Sequence, residues 1–235
     1  MALATEQKPI VYPSGDGEPV AESYAHMYVM FVTLEVLRQY LAGQQATVLA
    51  NQFLYYAQGF PKLRVAPDVM VILQVPPGGR DSYKIWEEGQ VPQVIFEMTS
   101  AQTQRQDQEY KKDLYQALGV QEYWLFDPKG EWLKQQLLGY RLVEENYVLI
   151  PDNISQVLGL RLEPAGQLIH FYRLDNGEKL LTPDELLVAK EQERLAKEQE
   201  RLAKEQERLA KEQERQMRLD LINRLRERGI DPDSL

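Results

Sequence analysis

Two short apolar runs separated by one helix-sized segment constrain the fold of this chain more than any other feature. Residues 94–98 are Val-Ile-Phe-Glu-Met and residues 122–126 are Glu-Tyr-Trp-Leu-Phe, both typical of buried strands. The segment between them has helical spacing at about Thr103–Leu118, and Gly119 suits the left-handed residue that ends a helix. This strand–helix–strand order favours a parallel pair joined by a right-handed crossover. We therefore predict an α/β domain.

The flanking segments add one helix and several strands. Apolar residues recur at helical spacing from about Ala21 to Ala42, and the segments Thr47–Tyr56 and Val65–Val75 are rich in β-forming residues. Further short strands are predicted at Trp132–Leu138, Tyr140–Val143, Tyr147–Ile150 and Leu168–Leu174. Hairpins among these strands around the parallel pair give a mixed β-sheet core flanked by helices.

The C-terminal segment has a different composition. From Ala189 to Arg215 the heptad Ala-Lys-Glu-Gln-Glu-Arg-Leu repeats, which predicts a long charged helix stabilised by Glu–Lys pairs four residues apart. A strong coiled coil needs two apolar positions per heptad, and here the second falls on Gln or Glu. A weakly self-associating coil and a solvated single helix therefore both stay open. Residues 229–232, Gly-Ile-Asp-Pro, are predicted to stop the helix.

These patterns divide the chain into three parts. Residues 1–20 are rich in Pro and Gly and are predicted to form an irregular N-terminal arm. Residues 21–183 form the α/β domain, and residues 184–235 form a helical heptad-repeat tail. No run of about 18 apolar residues exists, and the N-terminus lacks the order of a signal peptide, so we expect a cytoplasmic protein without a membrane partner.

Composition restricts the chemistry that the chain can perform. The absence of Cys excludes disulfides, thiolate zinc sites and cysteine nucleophiles. Only two His residues are present, so a bound metal is expected to have oxygen ligands, which favours Mg²⁺, Mn²⁺ or Ca²⁺. The net charge of −9 argues against a protein that coats DNA nonspecifically. The same negative charge is compatible with an acidic enzyme that uses bound cations.

Two acidic residues are candidates for a metal site. Asp68 follows Pro67 at the start of a β run, and Glu97 lies inside the apolar strand 94–98. A carboxylate in such a strand is costly to bury unless it is paired or bound to a metal. Alternation could instead turn Glu97 towards solvent, and Asp68 could be an ordinary turn residue.

The helix after Glu97 contributes a candidate cation. Asp107, Lys111 and Tyr115 recur every four residues and share one face. The apolar side of this helix is predicted on another face, formed by Tyr110, Leu114, Ala117 and Leu118. Asp107 and Lys111 also form an ordinary stabilising helix pair, so their spacing alone does not establish a site.

The combination of motifs resembles the PD-(D/E)XK nuclease superfamily and, within it, the bacterial Uma-type restriction endonuclease family, over roughly residues 20–180. The residues that carry the resemblance are Ala66-Pro67-Asp68-Val69, Glu97-Met98-Thr99-Ser100, Asp107-Gln108-Glu109-Tyr110-Lys111 and the block from Leu114-Tyr115 through Gly119-Val120-Gln121-Glu122-Tyr123-Trp124-Leu125-Phe126 to Asp127-Pro128. This resemblance implies a restriction-endonuclease-like fold and hydrolysis of DNA phosphodiester bonds.

The resemblance also implies roles for individual residues. Asp68, Glu97 and the main-chain carbonyl of Met98 would bind Mg²⁺, with Mn²⁺ as an alternative. The short superfamily motif would place a lysine at position 99, which is Thr99 here, so Lys111 is expected to supply that group. Glu22 would be a further carboxylate of the site, although it is equally an acid of the first helical turn. Glu35 is the alternative to Glu22 if the first helix is rotated about its axis relative to this prediction.

Other possibilities stay open at this point. His26 could hydrogen-bond to Glu22, four residues earlier, but a surface position is expected for it. Cleavage of both DNA strands would suit a homodimer, which the weak heptad seam does not establish. The alternative function is a noncatalytic scaffold with a nuclease fold that recruits a protein partner through the helical tail.

Overall fold

The computed structural model describes residues 10–15 and 23–227. Contacts divide the chain after Pro183 into two compact units. Residues 10–15 contain no helix or strand. The rest of the predicted N-terminal arm, the candidate Glu22 and the predicted helix stop at residues 229–232 lie outside the described residues.

The first unit begins with helix α1 (Tyr24–Tyr40). The Ser23 hydroxyl caps it by accepting a hydrogen bond from the main-chain N–H of His26 at 3.3 Å, which satisfies one of the free N–H groups of the first turn. The buried face of α1 includes Val29, Met30 and Leu37. This amphipathic helix is the one that the periodicity predicts.

A six-stranded mixed sheet forms the centre of this unit, in the order β1-β4-β6-β7-β8-β9. Its strands are β1 (Ala46–Leu49), β4 (Val69–Leu73), β6 (Val94–Met98), β7 (Glu122–Phe126), β8 (Leu137–Val143) and β9 (Asn146–Ile150). Strands β6 and β7 pair in parallel from Val94–Glu122 to Met98–Phe126, and all other pairs in this sheet are antiparallel. The predicted parallel pair within a mixed sheet is confirmed.

Two small sheets and a short helix complete the unit. Strands β2 (Leu54–Tyr55), β3 (Arg64–Val65) and β5 (Tyr83–Lys84) form one sheet, and helix α2 (Ile85–Glu88) follows β5. Strands β10 (Ile154–Ser155), β11 (Leu160–Ala165) and β12 (Leu168–Arg173) form the other. The sequence analysis did not predict β10 and β11.

The hydrophobic core occupies both faces of the six-stranded sheet. Phe96, Trp124 and Phe126 belong to the cluster that also contains the buried face of α1 and residues of β11 and β12. Alternate residues such as Ile95 and Tyr123 belong to a second cluster. Because both faces are covered, β6 and β7 are buried along their whole length, which explains their continuous apolar character.

The crossover from β6 to β7 contains an irregular helix. Residues 106–111 form a π-helix (Gln106–Lys111), which continues into helix α3 (Lys112–Leu118). Gly119 has φ of +83° and ends α3, as predicted. The predicted apolar face is confirmed only in part. Leu114 and Leu118 pack partly buried against the core, but Tyr110 is 54% exposed. The polar residues Asp107, Lys111 and Tyr115 are buried. The polar face turns inwards because it meets the buried Glu97 of β6.

The predicted strand at Trp132–Leu138 was also wrong. Residues 130–136 form a series of bends, and β8 begins only at Leu137. The buried carboxylate of Asp127 accepts hydrogen bonds from the main-chain N–H groups of Lys129, Gly130, Trp132 and Leu133. The main chain therefore curves around the Asp127 side chain. The N–H groups bonded to Asp127 cannot also pair with a neighbouring strand.

Helix α4 (Pro183–Glu227) is 45 residues long and has no buried residue, and all of it after Pro183 belongs to the second unit. Ion pairs join Glu193–Lys197, Glu200–Lys204 and Glu207–Lys211, and Leu195, Leu202 and Leu209 are each about half exposed. Within residues 10–15 and 23–227 no helix has the length and apolarity needed to cross a membrane.

Candidate active site

Asp68 and Glu97 meet where strands β4 and β6 lie side by side. Val69 pairs with Phe96 in the antiparallel register, which brings Asp68, just before β4, next to Glu97. The main-chain N–H of Asp68 donates to Glu97 Oε2 at 3.4 Å, and the N–H of Met98 donates to Asp68 Oδ2 at 2.6 Å. The backbones of the two strands therefore hold both carboxylates in one place.

Lys111 reaches this place from the π-helix. Its Nζ lies 2.8 Å from Glu97 Oε2 and 3.0 Å from Asp107 Oδ1, and its side chain is only 10% exposed. The structure thus brings together three of the residues singled out in the sequence, Asp68, Glu97 and Lys111. The solvent-facing alternative for Glu97 does not hold, because this residue is fully buried.

Two tyrosines complete the surroundings of these charges. The buried Tyr115 hydroxyl donates to Glu97 Oε1 at 2.7 Å, so both oxygens of Glu97 have partners. The Tyr123 hydroxyl donates to the main-chain carbonyl of Asp107 at 2.9 Å and thereby ties the π-helix to β7. Tyr115 shares a helix face with Asp107 and Lys111, so the sequence contained the signal for its position.

His26 is a site residue that the sequence analysis assigned wrongly to the surface. It is 5% exposed, and its Nε2 lies 3.2 Å from Asp68 Oδ1. Its position three residues before Val29 and four before Met30 on the buried face of α1 was the available signal. Glu35, the alternative to Glu22, faces solvent and pairs with Arg38 at 3.3 Å, so it does not belong to the site.

The acidic groups at this site outnumber the basic ones. Asp68, Glu97 and Asp107 face a single Lys111 ammonium. Burial raises the pKa of Glu97 to about 8, Lys111 opposes this shift, and Asp68 and Asp107 add to it. Burial likewise raises the pKa of Asp107. Burial alone would lower the pKa of Lys111, but the Glu97 and Asp107 carboxylates outweigh it and hold that pKa above its ordinary value.

These residues fit a divalent cation by their charge and by the type of their ligand atoms. With its carboxyls ionised, the cluster carries two more negative than positive charges, and carboxylate oxygens are the ligands that Mg²⁺ prefers. Among the described residues no group of three or more His, Asp or Glu is arranged to hold a metal. Asp68 and Glu97 are thus the two candidate ligands in the described part of the chain. At Met98 the structure shows the N–H donating to Asp68.

The chain is similar to a solved structure and to a protein family. No curated protein matches the chain. A solved structure, described as a putative nuclease belonging to DUF820 from Anabaena variabilis ATCC 29413, is 15% identical, with a TM-score of 0.43 over 63% of this chain and 74% of that chain.

A family model covers most of the chain. The Uma2 model, described as "Putative restriction endonuclease", matches residues 10–196. That range contains the six-stranded sheet and the cluster of Asp68, Glu97 and Lys111. The resemblance found in the sequence is therefore confirmed, the mixed α/β fold is restriction-endonuclease-like, and the chain belongs to the Uma2 restriction endonuclease family.

Proposed function

We propose that this protein is a Mg²⁺-dependent endonuclease that hydrolyses phosphodiester bonds in DNA. The observation that carries the proposal is the contact of the Lys111 ammonium with Glu97, beside Asp68, in a chain of the Uma2 family. Two carboxylates and one lysine from three separate segments have no need to converge in a hydrophobic core for stability alone, since burying them is costly. Their convergence supports a catalytic role.

In this proposal Asp68 and Glu97 hold the metal. The Met98 carbonyl is proposed as a further oxygen ligand, and Mn²⁺ is a substitute for Mg²⁺. Glu22 is proposed as a carboxylate that supports these ligands or binds a second metal. The cation would polarise the phosphate that is attacked and make a water molecule more acidic. Its positive charge would also favour the ionised form of Glu97, whose pKa burial raises to about 8 in the metal-free protein.

The protein side chains have distinct tasks. Because its pKa lies above the ordinary value, Lys111 stays protonated at neutral pH. It therefore orients the attacking water and offsets charge on the phosphate, whereas a role as general base would require its neutral form. Tyr115 and His26 are positioning residues: Tyr115 fixes one oxygen of Glu97, and His26 contacts Asp68 on the side of α1.

A cleavage assay tests this function. Purified protein is incubated with supercoiled plasmid DNA in Mg²⁺ or Mn²⁺, with EDTA as the metal-free reference. We expect nicking or cutting by the unmodified protein and a loss of at least about a hundredfold in Asp68→Asn, Glu97→Gln and Lys111→Met. Lys112→Met is the matched control, because Lys112 is on the same helix but its Nζ lies over the Tyr140 ring at 4.2 Å. Equal activity in all five proteins would overturn the assignment.

The noncatalytic scaffold is the second candidate. The exposed Leu195, Leu202 and Leu209 favour it, because they form a repeated apolar stripe available to a partner. Titration calorimetry with Mg²⁺ distinguishes the two candidates. Binding that is lost in Asp68→Asn supports the enzyme, whereas no binding at millimolar Mg²⁺ supports the scaffold.

A further inference from the structure

A cavity of about 190 Å³ adjoins the carboxylate site. It lies between the start of α1, the chain that follows β6 and the loop that follows β7. The residues that line it and matter here are Ser23, His26, Thr99, Ser100, Lys129 and Trp132. His26 also contacts Asp68, so one side chain separates the cavity from the candidate active site.

Thr99 gives the first indication of a ligand. This residue lines the cavity and is 2% exposed, and its hydroxyl has no hydrogen-bond partner among the residues that the structure describes. A buried hydroxyl without a partner is unfavourable, because it has lost its hydrogen bonds to water, so such groups are rare in folded proteins. An acceptor atom of a ligand in the cavity would satisfy it.

The charge of the lining indicates that this ligand is an anion. In the described part of the chain the lining contains Lys129 but no Asp or Glu, although the chain carries a net charge of −9. Ser23, the N-cap of the 17-residue helix α1, also lines the cavity. The partial positive charge of a helix N-terminus and its free N–H groups favour a phosphate at such a place.

Hydrogen bonds to one buried side chain hold the loop on the other side of the cavity in position. The buried Asp127 carboxylate accepts N–H bonds from Lys129 at 3.1 Å, Gly130 at 2.9 Å and Leu133 at 3.1 Å, and also one from Trp132. Four bonds to one carboxylate fix the path of the loop. Lys129 and Trp132 are therefore presented to the cavity by an ordered backbone.

We propose that this cavity binds a backbone phosphate of the DNA strand, adjacent to the phosphodiester that reaches Asp68 and Glu97. The Thr99 hydroxyl donates to a phosphate oxygen, the Lys129 ammonium neutralises its charge, and Trp132 packs against the neighbouring sugar. The volume is below that of typical sites for drug-sized ligands, which suits one sugar–phosphate unit. The proposal rests on the proposed function, because it makes the cavity part of the DNA-binding surface.

The test measures DNA binding without cleavage. The full chain is mixed with a short fluorescein-labelled DNA duplex in EDTA, and the dissociation constant is followed by fluorescence anisotropy at several salt concentrations. Thr99→Val and Lys129→Ala are compared with Thr99→Ser, which keeps the hydroxyl, and Lys134→Ala, which removes an exposed charge from the same loop outside the cavity.

We expect Thr99→Val to weaken binding about tenfold and Thr99→Ser to preserve it, because the hydroxyl bonds to a charged group. Lys129→Ala should weaken binding to all DNA sequences alike and reduce the slope of log affinity against log salt by about 1. Lys134→Ala should leave both the affinity and the slope unchanged.

Several outcomes would overturn the proposal. These are absence of binding by the unmodified protein at low salt, unchanged binding in Thr99→Val and Lys129→Ala, or an equal loss in Lys134→Ala. Failure of the nuclease assignment has a different signature: the expected binding pattern would persist while no DNA is cut in Mg²⁺. Cleavage with unaltered binding in both variants would instead refute the phosphate cavity and leave the nuclease assignment intact.

Discussion

The Lys111 ammonium lies 2.8 Å from Glu97 Oε2, although the two residues are 14 positions apart in the chain. Glu97 sits in β6 and Lys111 in the π-helix of the crossover that leads from β6 to β7. The ion pair therefore connects the sheet to the helix within one supersecondary unit. The same ion pair belongs to the candidate site. A substitution at Lys111 therefore tests both the stability of the fold and the activity.

The first prediction concerns the removal of the Lys111 ammonium. Lys111→Met should lower the free energy of unfolding at pH 8 by about 3–5 kcal/mol, because Glu97 and Asp107 lose their buried cation. Urea denaturation in EDTA measures the change. In Glu97→Gln/Lys111→Met part of the loss should be recovered, since one unpaired carboxylate has been removed. A loss equal to that of the control Lys112→Met would show that the buried pair contributes nothing.

The second prediction concerns pH in the metal-free protein. Burial raises the folded-state pKa of Glu97 to about 8, from an ordinary value of 4.5. The folded state thus binds more protons than the unfolded state, and the stability that protonated Glu97 contributes is fully present below about pH 4.5 and lost as pH rises through about 8. We expect a lower unfolding temperature at pH 8 than at pH 6.

The variant Glu97→Gln isolates this effect. The raised pKa of Asp107 acts in the same direction, and Lys111, with a pKa above its ordinary value, loses its contribution only in more alkaline solution. The difference in stability between the unmodified protein and Glu97→Gln should therefore change between pH 6 and pH 8. A constant difference over that range would contradict the assignment of a raised pKa to Glu97.

The third prediction tests the packing of the sheet. Gly139 in β8 pairs with Trp124 in β7, and a Cβ at position 139 would overlap the indole ring. Gly139→Ala should destabilise the protein by about 1–3 kcal/mol or more, because the new methyl group would have to displace the fully buried ring of Trp124. Gly79→Ala is the matched control, since nothing lies within 4 Å of a Cβ there. Chemical denaturation compares them, and equal stabilities would refute this account.

The fourth prediction concerns α4. No residue of this helix is buried, so a chain that ends at Ala189 should keep the thermal unfolding midpoint of the full chain to within about 2–4 °C, a shift that corresponds to about 1 kcal/mol in a domain of this size. Differential scanning calorimetry and circular dichroism would show the same cooperative transition with less helical signal. A large drop in the midpoint would mean that the tail stabilises the sheet unit.

The sequence predicted those parts of the site that depend on local patterns. The apolar runs of β6 and β7 indicated their burial and parallel pairing, and the four-residue spacing of Asp107, Lys111 and Tyr115 indicated a shared face. Long-range contacts were harder to predict. The position of His26 depends on how α1 rotates over the sheet, and a single helical pattern containing one histidine does not fix that rotation.

Two errors have physical explanations that also concern long-range contacts. The helix after β6 was expected to bury its apolar side. Leu114 and Leu118 do pack against the core, but the cluster around Glu97 also draws the polar side inwards and leaves Tyr110 exposed. The segment before β8 has a strand-like sequence, yet the buried carboxylate of Asp127 accepts hydrogen bonds from the N–H groups of its first two residues, Trp132 and Leu133. The same carboxylate accepts two more from the turn just before them. In both places a single carboxylate outweighs local propensity.

The π-helix at Gln106–Lys111 means that the candidate site depends on the number of residues in the crossover as well as on their identity. A π-turn contains one residue more than an α-turn, and such insertions are often found at functional sites. Deleting one residue from the segment 104–106 would let the turn relax to α-helical geometry, while α3 stays anchored by the buried Tyr115. Residues before the deletion would then rotate by about 100° relative to those after it. The extra residue therefore sets how the chain that leaves β6 joins the helical segment that carries Asp107 and Lys111.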